Sequence, residues 1–243
     1  MQSDSGKILA VSGDVTILTP GGASTQKASI GQPVPEGSQI VTASGSKVMI
    51  GLTEGASTLL EADSSLDVNN LKVAKKGDRI TKRDILIDVK KGSALSFLKS
   101  TGEISDFKVQ TPLGIAAARG TIWRASSESI QVLDGVVSVT LPDGTVISVP
   151  AGKQVTPDGT VDVIDDDVLA ALIAKINENT NLNAELLFSS DGTAELVIKN
   201  ADNEVITSPT LNPLNTSDSE TNNNVFPEPA PVMKTPSSGS SMY

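Results

Sequence analysis

The segment Lys47-Val48-Met49-Ile50-Gly51-Leu52 decides the fold class, because Val48, Ile50 and Leu52 alternate with Lys47, Met49 and Gly51. A period of two places the first set on one face of an extended strand. The alternation returns at Ile85, Ile87 and Val89 against Leu86, Asp88 and Lys90, and again at Val137, Val139 and Leu141 against Val136, Ser138 and Thr140. Turn signals separate such segments, among them Ser12-Gly13-Asp14, Glu36-Gly37, Glu54-Gly55, Lys91-Gly92, Asp134-Gly135 and Asp143-Gly144. Glycine supplies the positive φ that these turns need, and aspartate tolerates it. Strands and turns in this rhythm predict a mainly β fold over residues 7–157, an irregular β-solenoid-like or β-sandwich domain, with a barrel also compatible with the spacing. No strict repeat period is visible.

Outward from this domain the pattern changes. Residues 1–6 read as a flexible N-terminus without a basic or apolar leader, as in a mature chain whose signal peptide has been removed, although a native cytosolic start reads the same way. Residues 158–207 read as a helix plus hairpin extension. Val168, Leu169, Leu172, Ile173 and Ile176 make one apolar helical stripe, preceded by Asp165-Asp166-Asp167 as N-cap and dipole partners. The Asn-rich run 177–183 should end the helix, and Leu186 to Phe188 and Ala194 to Ile198 suit hairpin arms around Ser190-Asp191-Gly192. A last short strand fits Glu204 to Thr207. Residues 208–243 are a low-complexity Pro/Ser/Asn tail with too few apolar groups to offset the entropy of ordering, and are expected to be disordered.

Composition narrows the chemistry. Only six residues are aromatic (Phe97, Phe107, Trp123, Phe188, Phe226 and Tyr243), so the core must be built from Val, Ile, Leu and Ala in thin layers. The net charge of -10 argues against nucleic acid, which demands clustered cations. The nearest approach to a basic patch, Lys72, Lys75, Lys76, Arg79, Lys82 and Arg83, reads as a solvated strand-and-turn edge. There is no Cys and no His, which removes disulfides, thiol and Ser-His-Asp catalysis, and the commonest metal ligands. No stretch is long and apolar enough to span a bilayer.

The middle of the domain carries its most distinctive run, Thr111-Pro112-Leu113-Gly114 leading through Ala116-Ala117-Ala118 to Arg119-Gly120-Thr121-Ile122-Trp123. Pro112 lacks a donor and holds Thr111 extended, which suits a strand end. The glycines and alanines let backbones approach closely. Arg119 is expected as an internal strut bonded to a carboxylate or carbonyls, with ligand binding as the alternative. Trp123 is expected as a core plug, with a sugar-stacking platform as the alternative.

Taken with Ile8 to Ile17, Glu36-Gly37-Ser38-Gln39-Ile40-Val41-Thr42, Val132 to Val139 and the closing Val149-Pro150-Ala151-Gly152, this run resembles the FecR domain. The hallmark of that family is a Thr-Pro-x-Gly stretch feeding an Arg-Gly-Thr, here Thr111, Pro112, Gly114, Arg119, Gly120 and Thr121, with Trp123 following. The resemblance implies an extracytoplasmic module of the periplasm, the cell surface or the secreted fraction. Full-length relatives place a cytoplasmic anti-sigma segment and a membrane helix ahead of it and relay signals from outer-membrane transporters. Neither segment is recognisable here, so relay to a sigma factor is not expected of this stand-alone form.

Catalytic constellations fare poorly. Ser96-Phe97-Leu98-Lys99 has Ser-Lys spacing but lies in strand-like sequence, which sends the two side chains to opposite faces. Asp162, Asp165, Asp166 and Asp167 lack the spacing of a calcium loop. The expectation is therefore a non-enzymatic protein without cofactor, whose partner is an envelope protein, a polymer or a second copy of itself. A self-assembling surface-layer or filament subunit is the first alternative, and a polysaccharide-binding or polysaccharide-active protein the second.

Overall fold

The computed structural model describes residues 1–22, 24–77, 79–99, 104–180, 182–188, 194–199, 202–207 and 210–211. The first strands are β1 (Gln2–Ser3), β2 (Ser5–Ser12), β3 (Val15–Leu18), β4 (Thr25–Lys27), β5 (Pro33–Pro35), β6 (Gln39–Thr42), β7 (Lys47–Thr53) and β8 (Ala56–Leu60). Next come β9 (Ser65–Lys76), β10 (Arg79–Lys91), β11 (Ser93–Leu98), β12 (Ile104–Thr111), β13 (Gly114–Ala118) and β14 (Ile122–Ser126). The stack closes with β15 (Ile130–Asp134), β16 (Val136–Thr140), β17 (Val146–Pro150), β18 (Lys153–Val155) and β19 (Val161–Val163). Helix α1 (Asp166–Asn179) and strands β20 (Asn183–Phe188), β21 (Ala194–Lys199), β22 (Val205–Thr207) and β23 (Thr210–Leu211) form the extension. The expected turn at 190–192 and most of the 208–243 tail lie outside the described residues.

The chain shuttles between two facing sheets and advances in one direction. The first sheet runs β17-β16-β13-β12-β10-β9-β6-β3-β4, with β1 added to β9, and the second runs β19-β18-β15-β14-β11-β8-β7-β2-β5. From β2 to β19 the strand direction reverses at each turn or crossing, so neighbours an odd number of strands apart in sequence are antiparallel. Only β11 separates β10 from β12, and this pair is parallel, with Ile85 beside Phe107 and Ile87 beside Val109. The result is a sandwich wound mostly from antiparallel hairpins.

Alternation fills the space between the sheets. Val48, Ile50, Leu52 and Leu60 from the second sheet meet Ile17, Ile40, Leu66, Ile85, Val109 and Val139 from the first in one core. Each such side chain contributes about 1.5–3 kcal/mol on burial. Two expected boundaries shift. Residues 1–6 are not a free end, since Gln2 and Ser3 pair with Val73 and Lys72, and Asp4 N–H donates to Leu71 O at 2.8 Å. The stack ends at Val163 rather than at residue 157, because β19 still pairs with β18.

The extension covers the outer face of the second sheet. Met49, Leu59, Leu95, Ile122 and Leu133 point outward there and pack with Leu169, Leu172, Ile173 and Ile176 of α1 and Leu196 and Ile198 of β21. Doublets such as Leu59-Leu60 and Ala94-Leu95 record burial on both faces of one strand. Asp165 occupies the N-cap without a capping side-chain bond, so only the charges of Asp166 and Asp167 in the first turn serve the helix start. Asn177 joins α1 to β20: its Nδ2 donates to Ala184 O at 2.9 Å, and Ala184 N–H donates to its Oδ1 at 2.6 Å.

Candidate functional site

The Thr111-to-Trp123 run builds a crossover between the sheets. Thr111 Oγ1 accepts from Leu113 N–H at 3.2 Å in the turn from β12 to β13, while Pro112 is exposed. A Cβ on Gly114 would lie 2.4 Å from Thr140 O on the neighbouring β16, so the strands meet at a distance only glycine permits. At the crossover Thr121 is 1% exposed, and Gly135 (φ +76) presses against it, with room for no Cβ. Trp123 is fully buried and meets Phe107 edge-on, ring centroids 5.1 Å apart. A ring with no exposed face offers no platform to a sugar, so the plug is the observed role.

The expected strut is a different arginine. Arg119 is exposed on the crossover, because Gly120 (φ +63) turns the chain at the rim of the stack rather than within it. Arg83 is the buried one at 2% exposure, and its Nη2 donates to Glu54 O at 2.6 Å, tying β10 to the turn between β7 and β8. It belongs to the basic run read as a solvated edge. Lys75, Lys76, Arg79 and Lys82 are indeed exposed, but β9 and β10 lie in the middle of their sheet.

The best-developed polar site was not anticipated from sequence. On the outer face of the second sheet, Arg124 Nε donates to Glu61 Oε1 at 2.9 Å, its Nη2 to Ser93 Oγ at 2.8 Å and its Nη1 to Gln131 Oε1 at 3.3 Å. Lys175 of α1 reaches down to Glu61 Oε2 at 2.6 Å. Burial alone would raise the Glu61 pKa, but the hydrogen bond and charge of Arg124, then those of Lys175, outweigh it and hold the carboxyl below its ordinary value. Beside this network runs a shallow groove between the end of α1 and the sheet, crossed by the Lys47–Glu178 ion pair at 3.6 Å. Its two arms, of about 230 and 260 Å³, share Leu59 as apolar floor.

The groove holds two carboxylates, Glu61 and Glu178, and the first is set against the general-acid role in glycoside cleavage. That reaction needs one carboxyl kept protonated near neutral pH by a raised pKa, and Glu61 is shifted the other way. Ser96, offered by the Ser-Lys spacing, is fully buried and shares a 3.1 Å hydrogen bond with Thr58. Asp162 lies in β19 beside Gln154, apart from the helix-start aspartates in role. Among the described residues no group of three or more acidic side chains is placed to hold a metal ion, and no helix is long and apolar enough to cross a membrane.

A filled two-sheet β module with a clamped helix-and-hairpin layer is the class that this geometry defines. Residues 38–147 match the model of the FecR protein family, a span running from the start of β6 into β17. Over that span, somewhat less than half of the chain, the protein is similar to the FecR family. No curated protein matches it. Two solved structures of candidate anti-sigma factors from Parabacteroides distasonis ATCC 8503 are similar in part. One is 18% identical with a TM-score of 0.41, covering 56% of this chain and 64% of that one, so the chain spans less than two thirds of its length. The other is 15% identical with a TM-score of 0.39, covering 72% and 85%.

Proposed function

We propose that this protein is a non-enzymatic sensing and interaction module of the cell envelope, working outside the cytoplasm by binding another envelope component. The observation that carries the reading is the FecR-like domain over residues 38–147. Its most distinctive residues serve the stack: Thr121 and Trp123 are buried, and Gly114 allows a strand contact. The half-buried ionic groups support the same reading, since Glu61, Arg124 and Lys175 hold one layer to another.

Head-to-tail assembly into filaments finds less support. Continuing the second sheet from copy to copy would use β5, whose Pro33 and Pro35 bring no N–H. The test is fractionation of cells expressing the chain, followed by cross-linking in the intact envelope. Recovery outside the cytoplasm with a discrete cross-linked partner is the expected result. Residence in the cytoplasm, or hydrolysis of an envelope polysaccharide by the purified chain, would remove the proposal.

A further inference from the structure

The two ends of the stack are built differently, and the difference lies in which backbone donors reach the open edge. In an antiparallel pair, opposite residues alternate between bonded and non-bonded pairs, and the non-bonded ones turn their N–H and C=O groups away from the partner. At the first end, Ile8 N–H donates to Gln32 O at 3.0 Å, and Gly6 pairs with Val34 two residues on. The outward positions of β5 are therefore Pro33 and Pro35, which carry no donor. The first sheet begins there with β4, which ends in Lys27, a charge of the kind that discourages strand addition.

The last end has no such defence in the first sheet. Leu141 N–H donates to Thr145 O at 2.8 Å, closing the turn into β17. Counting along the register, Val139–Ile147 and Val137–Val149 are the bonded pairs, which leaves Val146 and Ser148 with N–H groups aimed outward. Pro150 falls on an outward position too, where its missing donor costs the sheet nothing. Residues 146–150 carry no charge, Val146 is 65% exposed, and among the described residues no strand pairs with this side of β17. Exposed Ile115, two strands in, extends the apolar row through Thr140 to Val146.

The surroundings state the partner's charge. Asp143 and Asp158 stand in two Pro-Asp-Gly-Thr turns, brought together where Gly159 faces Leu141 and Ile147. Hydrogen bonding from Thr145 N–H to Asp143, and from the Thr156 hydroxyl to Asp158, holds both carboxyls below their ordinary range and ionised at neutral pH.

We propose that β17 is a docking edge at which an extended, basic segment of a partner protein adds as a further strand of the first sheet. The inference rests on the reading of the chain as a protein-binding module and names the surface and the kind of partner.

The test uses the full chain and a synthetic peptide, Lys-Val-Thr-Val-Lys-Val-Thr with blocked ends, with a Glu-for-Lys version as its counterpart. Binding of the basic peptide should slow hydrogen exchange at the Val146 and Ser148 amides at least tenfold and leave Val161 and Val163 unchanged. The acidic peptide should bind at least tenfold more weakly at low salt. Ser148→Pro, which deletes one outward donor, should weaken the basic peptide at least tenfold, and Ser148→Ala should not. Amides of Val146 and Ser148 already protected in the free protein would overturn the proposal, as would equal binding of the two peptides. If the envelope cross-link survives in Ser148→Pro while no peptide binds wild type, the edge is wrong and the broader reading stands.

Discussion

Trp123 and Arg124 are consecutive residues of β14, and they anchor the two faces of one sheet by opposite means. Trp123 points into the sandwich, fully buried against Phe107, in surroundings made of aliphatic side chains. Arg124 points to the outer face, where Glu61, Ser93 and Gln131 accept or share its hydrogen bonds and Lys175 completes the link to α1. Two-sided strands of this kind let the inner layer be fastened by shape and the outer layer by shape plus charge. The inner face should then be indifferent to pH and salt, while attachment of the extension should respond to both.

The largest effect expected is on the inner face. Trp123→Ala removes the biggest fully buried side chain, and the neighbouring strands, locked by Gly114 and Gly135, have little freedom to close the hole. A loss of about 3–5 kcal/mol follows from such a truncation. Urea unfolding followed by circular dichroism reads it. A loss below about 1 kcal/mol would mean that the crossover is not the clamp described above.

How much of this could be read in advance depends on whether the signal is local. The β class, the hairpin of the extension and the apolar stripe of α1 follow from alternation, Gly-Asp turns and helical spacing within a dozen residues. Trp123 as plug follows from its being one large ring in a chain poor in aromatics. The arginines show the limit. Arg119 sits among small apolar residues and reads as buried, yet lies on the rim. Arg83 sits among lysines and reads as solvated, yet is 2% exposed. Burial there is decided by which turn of the opposite sheet lies above, a property of topology. Glu61 follows the apolar Leu59-Leu60 and looks like any strand-end carboxylate, because its partners Arg124 and Lys175 are 63 and 114 residues away.

The next prediction in size sharpens the contrast between the faces. Glu61→Gln keeps the shape but removes the charge that Arg124 and Lys175 share, at a cost of about 2 kcal/mol, typical of a charge-assisted hydrogen bond that is largely shielded from water. The sign of its pH dependence follows from the lowered pKa. A carboxyl that ionises more easily folded than unfolded contributes stability above its unfolded value, and that contribution is lost as pH falls through the folded value. Wild type should therefore lose stability from about pH 4.5 downward, and Glu61→Gln should show a flatter profile over the same window. Thermal melts across that window measure it, and parallel profiles would remove Glu61 from the account.

The smallest effect separates the half-buried Glu61–Arg124 contact from its more exposed neighbour. Lys47 and Glu178 also join the sheet to α1, at 3.6 Å, but their side chains are 38% and 65% exposed. Water and salt screen such a pair, and ordering two long side chains costs what the contact returns, so Lys47→Ala should change stability by less than about 0.5 kcal/mol. A double-mutant cycle between Lys47 and Glu178 should give a coupling near zero, while one between Glu61 and Arg124 should not. If the exposed pair coupled as strongly as the half-buried one, attachment of α1 would be a matter of total charge across the seam rather than of the desolvated contact at Glu61, and the contrast drawn from Trp123 and Arg124 would have to be recast as one between apolar and charged layers without regard to depth.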